Sequence, residues 1–489
     1  MVMPVTRKQL IVILSLTGCY WAGLLLTGTN VVVSSLFAVA ILFGTLSVVA
    51  GGGLGSTFGC LNAILIGKFL LFGIAIKILL LEPADGTLNA PATTASVMAL
   101  GFIGLFLGTT IQSHVRCPQS WSMNQPYSPD MLLSFSVVLF IVSYVGYFAS
   151  MIPSVQGVGY QTGGWLGIAR SVGSLKSLSI VPPMLFLWRV KARRWMTHPV
   201  TLGLLTWSAV IGIFSTGKQA AMEPFVFYVL VGFLRYGWRD MRLWSLVSIG
   251  GVYYAMIVFP YSQYVRNAGG REGTFAHRAE VTKDIFWRIT SSQDFRSSVS
   301  ERVNKQGSFF TLEALAPFSR MAMVGEADRL VSATERQQAF TGWETITWGF
   351  KLLTPSFLYS KKPTMEAGNY LGHIAGDIGT SDTETQVSYG VMANLYNAFS
   401  FVGVLVGTVI FFAGFYYWIR TFLGNARWDG IPTASTLWFI WLIASYEHSI
   451  VESSVSGLIA TMSFPFVVGV LGLLAKWLCD LLPIRAQLA

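Results

Sequence analysis

The chain has 489 residues, of which 53% are hydrophobic and 11% charged. Soluble domains carry about 25% charged residues, so this chain cannot cover itself with an ordinary water-facing surface, and a set of soluble domains is excluded. The formal charge of +10 does not point to nucleic acid, because the basic residues outside one long segment gather in short connections on one side of the apolar runs.

About twelve apolar runs follow one another, near 10–27, 30–50, 57–81, 93–112, 131–152, 171–189, 199–216, 220–235, 243–260, 391–419, 432–450 and 456–478. About 20 apolar residues suffice for a helix to cross the bilayer core. In lipid the backbone must satisfy its own hydrogen bonds, and the runs lack the alternation of barrel strands, so they predict helices. The first run follows Arg7 and Lys8 and lacks a small-residue cleavage site, so it reads as a retained helix, not a signal peptide. Cys19, Cys60, Cys117 and Cys479 show no paired spacing and read as small packing residues, with no disulfide framework and no metal site.

The positive-inside rule orients these runs. Arg7 and Lys8 set the N-terminus in the cytoplasm, and the acidic connection from Glu82 to Pro91 then falls outside. His114 and Arg116, the Arg189, Lys191, Arg193 and Arg194 cluster, Arg235, Arg239 and Arg242, Arg420 and Arg427, and Arg485 all fall inside; lone Arg170 and Lys218 are the exceptions. Three parts result: a first bundle of nine helices over 1–260, a long outer segment over 261–390, and three last helices with a cytoplasmic C-terminus over 391–489. The outer segment holds fourteen Lys and Arg against fourteen Asp and Glu, and long loops translocate largely regardless of charge. Apolar residues at helical spacing, as in Ile285–Phe286–Trp287 through Phe295 and in Phe309, Leu312, Leu315 and Phe318, predict short amphipathic helices at the interface or on the bundle. The expected fold is therefore all-α, a polytopic membrane bundle of about twelve helices with a large outer loop.

Two glycine patterns mimic nucleotide sites. Gly212–Lys218 reads GIFSTGK, but Gln219 replaces the Ser or Thr of a P-loop and an apolar helix, not a strand, precedes it. The STGKQ stretch is either an anion site at a helix start beside Lys218 or an interfacial turn with a snorkelling lysine. Gly51–Gly52–Gly53–Leu54–Gly55 reads as a hairpin connection. Lys68 lies mid-run, where a charge is costly, and reads either as a structural ion pair or as a group near a lipid phosphate; Lys77 is expected to snorkel. Glu223, Glu447, His448 and Glu452 lie near outer helix ends.

The outer segment carries Arg266, Arg271, Arg278, Arg288, Arg296, Arg302, Arg320, Arg329 and Arg336. A guanidinium binds phosphate oxygens through two parallel hydrogen bonds, whereas pairing with the equally numerous acids at i,i+4 would leave most of these on solvated faces. Arg266 and Arg271 stand out in Tyr-Val-Arg-Asn-Ala-Gly-Gly-Arg-Glu-Gly, 264–273, directly after an apolar run, and Arg320 stands out for its isolation from other charges.

The stretch TGWETITWGFKLLTPSFLYSKKPTMEAGNY, 341–370, resembles the late outer loop of the Wzy-type oligosaccharide repeat-unit polymerases, with Gly342, Pro355, Phe357, Tyr359, Lys362, Pro363 and Asn369 in matching places. GVMANLYNAFSFVGVLVG, 390–407, resembles the helix start that follows it in that family through Asn394, Tyr396, Asn397 and Gly403. STGKQ falls where relatives carry Gly, Ser or Thr, then Arg; Lys218 stands in place of that arginine. The resemblance covers about a third of the chain, mainly 205–225 and 341–410, and is nearest in pattern to the enterobacterial common antigen polymerases.

The resemblance implies a GT-C-like membrane glycosyltransferase of the bacterial inner membrane. It would transfer a growing glycan from undecaprenyl pyrophosphate onto an incoming lipid-linked repeat unit at the periplasmic face. Arg266, Arg271, Arg320 and Lys218 are the groups expected to stabilise the leaving phosphate, and His373, Asp377, Glu272 and His448 are the candidate general bases. Tyr264, Arg278, Arg288, Lys362, Asn369, Tyr396 and His448 are candidate substrate contacts. Asp377, Asp382 and Glu384 read as a sugar-binding or solvated loop ahead of a cation site, and no cofactor or metal is required. Lipid-linked glycans, the bilayer, a chain-length regulator and a flippase are the implied partners. A glycan ligase sharing the donor is one alternative. A flippase or transporter is another, disfavoured by the unequal split of helices and by polar groups concentrated at one end.

Overall fold

The computed structural model describes residues 6–115, 127–149, 169, 172–192, 194–214, 218–237, 239–259, 261, 262, 265, 275–292, 309–311, 322–338, 340–354, 367–379, 387–423, 437, 440 and 464–481. Among these residues the chain is all-helical, without a strand, and seven helices are long and apolar enough to cross a membrane. The protein is a polytopic helical membrane bundle.

Side-chain caps start the first helices where the sequence changes from polar to apolar. Thr6 and Gln9 form a reciprocal capping box on α1, Arg7–Leu26, and Asn30 accepts from the Val32 amide (2.8 Å) at the start of α2, Val31–Ala50. Gly52 and Gly53 take left-handed backbone (φ +96° and +76°) and turn the chain into α3, Thr57–Ile66, so the glycine cluster is a hairpin connection. A π-helical turn at Gly67–Leu71, carrying Lys68, joins α3 to α4, Phe72–Leu79. Then come α5, Pro91–His114, and α6, Pro129–Ala149.

The run near 171–189 departs from a simple spanning helix. A 3₁₀ turn at Ser174–Ile180 leads into the short α7, Val181–Arg189, with Pro182 and Pro183 in its first turn, where missing amide donors cost nothing. α8, Pro199–Phe214, and α9, Lys218–Tyr236, form an adjacent pair, and α10, Met241–Tyr253, continues through a π-helical turn at Tyr254–Val258. Four helices occupy described parts of 261–390: α11, Phe275–Ser291; α12, Met323–Gln337; α13, Glu344–Leu353; and α14, Ala367–Ala375.

The run expected as one helix over 391–419 is broken. α15, Gly390–Val402, has non-helical backbone at Phe399 and Ser400, the latter at φ 57°; a π-helical turn at Gly403–Gly407 then leads into α16, Thr408–Leu423. Residues 390–398 are buried throughout, which a simple lipid-facing helix would not be. α17, Phe464–Leu481, packs on α6.

α5 is the central post. The Asp328 carboxylate of α12 sits at its N-terminus, only 1% exposed, and accepts from the Asn89 amide (2.6 Å), the Ala90 amide (3.0 Å), the Thr94 hydroxyl (2.7 Å) and the Asn89 side chain (3.1 Å). Arg420 of α16 donates to the Gln112 and Val115 carbonyls, both at 3.2 Å, at its other end. An anion at the N-terminus and a cation at the C-terminus complement the helix dipole. Asn62 ties the same post to its neighbours, donating to the Ser47 carbonyl (2.9 Å) and Thr109 hydroxyl (3.2 Å) while accepting from Tyr416. Replacing Asp328 by Ala is expected to lower stability by about 3 kcal/mol, since several charge-assisted bonds are lost and buried donors are stranded. Unfolding of the detergent-solubilised variant reads this out, and a midpoint within about 1 °C of wild type would remove Asp328 from its place as clamp.

Candidate functional site

The polar residues of α12, α13, α14 and α15 converge above the N-terminal end of α5. α14 ends in a Schellman turn: Gly376 takes φ +77°, its amide donates to the His373 carbonyl (3.2 Å), and the Asp377 amide donates to the Gly372 carbonyl (3.0 Å). This turn carries Asp377 back to α12, where one terminal nitrogen of Arg329 lies 3.4 Å from its carboxylate and the other pairs with Glu326. The Tyr389 phenol donates to the same Asp377 carboxylate at 2.6 Å. Burial, the Asp377 charge and this hydrogen bond push the Tyr389 phenol far up, so it remains a neutral donor.

The surrounding frame is also polar, buried at Asn397, Thr334 and Asn394 and exposed at Gln337 and Glu344. Asn397 of α15 donates to Thr334 (2.8 Å) and accepts from Thr341 (2.9 Å), while the Thr341 and Gly342 amides donate to the Asn397 and Ala398 carbonyls (3.0 and 3.1 Å). Gln337 donates to the Ile374 carbonyl (3.0 Å), and Tyr370 donates to Glu344 (2.9 Å) while its ring packs on Trp348. Burial and the Glu344 partner push the Tyr370 phenol up to about 12. Asn394, fully buried, donates to Thr345 (3.4 Å) and has a side-chain oxygen without a partner among the described residues.

Of the residues expected to act, Asp377 lies in this cluster. His373 lies one turn before it, with its buried Nε2 uncommitted among the described residues. Asn369 is buried on the same helix. Tyr396 is buried against Phe340 and Phe401. Arg288 lies apart, exposed and paired with Asp284 at i,i+4 (3.0 Å). Lys218 opens α9 and Arg278 lies in α11, but their side chains fall outside the described residues, as do Tyr264, Arg266, Arg271, Glu272, Arg320, Lys362 and His448 altogether. No trio of His, Cys, Asp or Glu among the described residues could hold a metal ion; Asp382 and Glu384 lie outside them.

Arg329 and Tyr389 were not singled out by sequence. The only local signal for Arg329 is Glu326 three residues before it, which reads as an ordinary helix-surface pair. Lys77 is a correction: it does not snorkel but is fully buried, 2.9 Å from Glu82 and over the Phe309 ring. Glu82 can reach it because the chain turns directly after α4, and Thr311 donates to the same carboxylate.

The fold and this cap define a polytopic helical membrane protein with a buried polar centre at one end of its bundle. No family model, curated protein or solved structure matches the chain.

Burial alone would raise the Glu82 carboxyl, but hydrogen bonds from Thr311 and Lys77, with the Lys77 charge, outweigh it and hold its pKa below the ordinary range. A depressed carboxylate stabilises the fold above its unfolded pKa and stops doing so as pH falls through the folded one. Glu82→Gln is therefore expected to cost about 3 kcal/mol at neutral pH, because it strands a buried lysine. Unfolding midpoints across the acid range should show this cost shrinking below the ordinary glutamate pKa; a cost constant with pH would contradict the charge assignment.

Proposed function

We propose that this protein is a membrane glycosyltransferase that polymerises oligosaccharide repeat units carried on undecaprenyl pyrophosphate, as the Wzy-type resemblance implies. The observation that carries the reading is where the resembling segments meet. The described parts of 341–370 and of 390–407 meet where Thr341 bonds Asn397, and Asn397 bonds Thr334 of α12, the helix that also carries Arg329. In this reading about twelve helices span the bacterial inner membrane, the termini are cytoplasmic and 261–390 is periplasmic. A chain-length regulator and a flippase are its partners.

The chemistry is displacement at an anomeric carbon. An acceptor hydroxyl forms the new glycosidic bond, the bond to the pyrophosphate oxygen breaks, and its electron pair leaves with undecaprenyl pyrophosphate. Preorganised cations stabilise the charge that builds on that oxygen. Arg266, Arg271, Arg320 and Lys218 take that role in the proposal, and Arg329 joins them. Of the two described candidate bases, His373 is the better placed to take the acceptor proton, because its ring nitrogen is uncommitted while Asp377 is held by Arg329 and Tyr389. Asp377 then serves to orient Arg329.

Deleting the gene should abolish the polymer ladder and leave single repeats, on the carrier or capped onto an acceptor, as read by gel and by separate analysis of the lipid carriers. Complementation with Arg266→Ala, Arg271→Ala, Arg320→Ala or Arg329→Lys is expected to leave polymer reduced about a hundredfold, the scale of losing one preorganised donor. Long polymer persisting on undecaprenyl pyrophosphate would make this a ligase, and repeats trapped facing the cytoplasm would make it a flippase.

A further inference from the structure

A second polar centre lies in the bundle, away from the cap. Lys176, in the 3₁₀ turn before α7, is only 8% exposed, with its ammonium 4.4 Å from the centre of the Tyr147 ring. Glu223 of α9 is close enough to interact with it electrostatically. Beside Lys176, the Ser177 hydroxyl is buried without a partner among the described residues. Tyr144, clustered with Tyr147, bonds Ser208 at 3.0 Å. Tyr261 donates to the Ile213 carbonyl (3.0 Å) and bonds Thr282 (2.8 Å).

The surroundings narrow what this centre can hold. The adjacent face of α6 and α8 is apolar and exposed at Val145, Phe148, Trp207 and Val210, and Tyr144 joins it by ring contacts to Phe148 and Trp207. A lipid chain lying on that face would run beside Phe148, whose ring meets the Tyr147 ring that the Lys176 ammonium faces. The Lys176 cation and the neighbouring Ser177 hydroxyl, without a partner among the described residues, suit an anion. A buried charge adds little net stability over an apolar residue of the same size even when it is paired, so structure alone gives weak reason for Lys176. Charges inside membrane bundles mark binding or transport routes by default.

We infer that Lys176, packed on the Tyr147 ring, is a binding site for the phosphate of a membrane-borne lipid, entered sideways across the Val145–Phe148–Trp207 face. The site does not depend on the glycosyltransferase reading. The test uses full-length protein in phosphatidylcholine nanodiscs, with farnesyl diphosphate as the lipid-borne probe and inorganic pyrophosphate as the free one. Wild type is expected to bind farnesyl diphosphate, and Lys176→Gln to weaken it at least about tenfold, the scale of losing a charge-assisted contact. The paired variant Lys176→Met with Glu223→Leu removes both charges without stranding either. It should unfold near the wild-type midpoint and still not bind. Trp207→Ala should weaken the lipid probe and spare pyrophosphate. Pyrophosphate binding as tightly as farnesyl diphosphate would overturn the lipid source. Failure of wild type to bind either probe, or unchanged affinity in the paired variant, would overturn the site. A deletion strain with normal glycan would sink the polymerase reading and leave the Lys176 result standing.

Discussion

The carboxylate of Asp328 on the first turn of α5 is the contact from which the cap takes its position. A helix start presents amides with no partner inside the helix, and burying them unpaired is costly. Asp328 supplies oxygens to two backbone amides and a hydroxyl there, so α12 is fixed in height and rotation against α5. Met323, Val324, Ala327, Leu330 and Val331 of α12 are consequently buried in the core that α5 shares. With that face committed, the next residue, Arg329, points to a different side, where Asp377 and Tyr389 meet it. Arg420 completes the post from the far end, so both ends of one helix carry the charges its dipole favours.

Several departures from regular helix carry or adjoin buried polar groups. The π-helical turn at Gly67–Leu71 carries Lys68, the 3₁₀ turn at Ser174–Ile180 carries Lys176, and α9 holds Pro224 beside Glu223. The break at Phe399 and Ser400 follows Asn394 and Asn397. Irregular backbone at membrane depth is tolerated only inside protein or along a polar cavity, because lipid offers its amides no partner. These sites are therefore the places where a lipid-facing helix would be least stable and a protein-lined polar centre most so.

The spanning helices were legible because their signal is local. Apolar runs of the right length, bounded by Thr6, Asn30, Ser56 and Pro91, mark α1, α2, the α3–α4 span and α5 close to where they occur. The break in α15 was not legible: Ser400 adopts positive φ although neither glycine nor proline stands at 399 or 400, so tertiary packing imposes it. The cap was legible in part. Asp377 drew notice as an acid in a polar loop, yet its partners Arg329 and Tyr389 belong to other elements and leave no trace in spacing. Asp328 is concealed further, since its main partners are backbone amides, which look alike at every position. Lys77 was misread because a lysine near a helix end ordinarily reaches water, whereas the turn after α4 brings Glu82 and Phe309 to it first.

The two arginine contacts in the cap differ in a way that matters for the proposed chemistry. Glu326 lies on the same helix as Arg329 and pairs with one terminal nitrogen of it, whereas Asp377 approaches the other from a separate turn at 3.4 Å. In the proposed chemistry, a phosphate oxygen arriving at the guanidinium competes with the Asp377 contact and leaves the Glu326 contact intact. Displacement is favourable only if Asp377 keeps another donor, because a half-buried carboxylate stripped of all partners carries its full desolvation cost. Tyr389 supplies that donor, and its raised phenol pKa keeps the proton in place throughout the physiological range. Under the proposed function, a substrate anion takes the place of Asp377 on Arg329 while Tyr389 keeps the Asp377 carboxylate hydrogen-bonded.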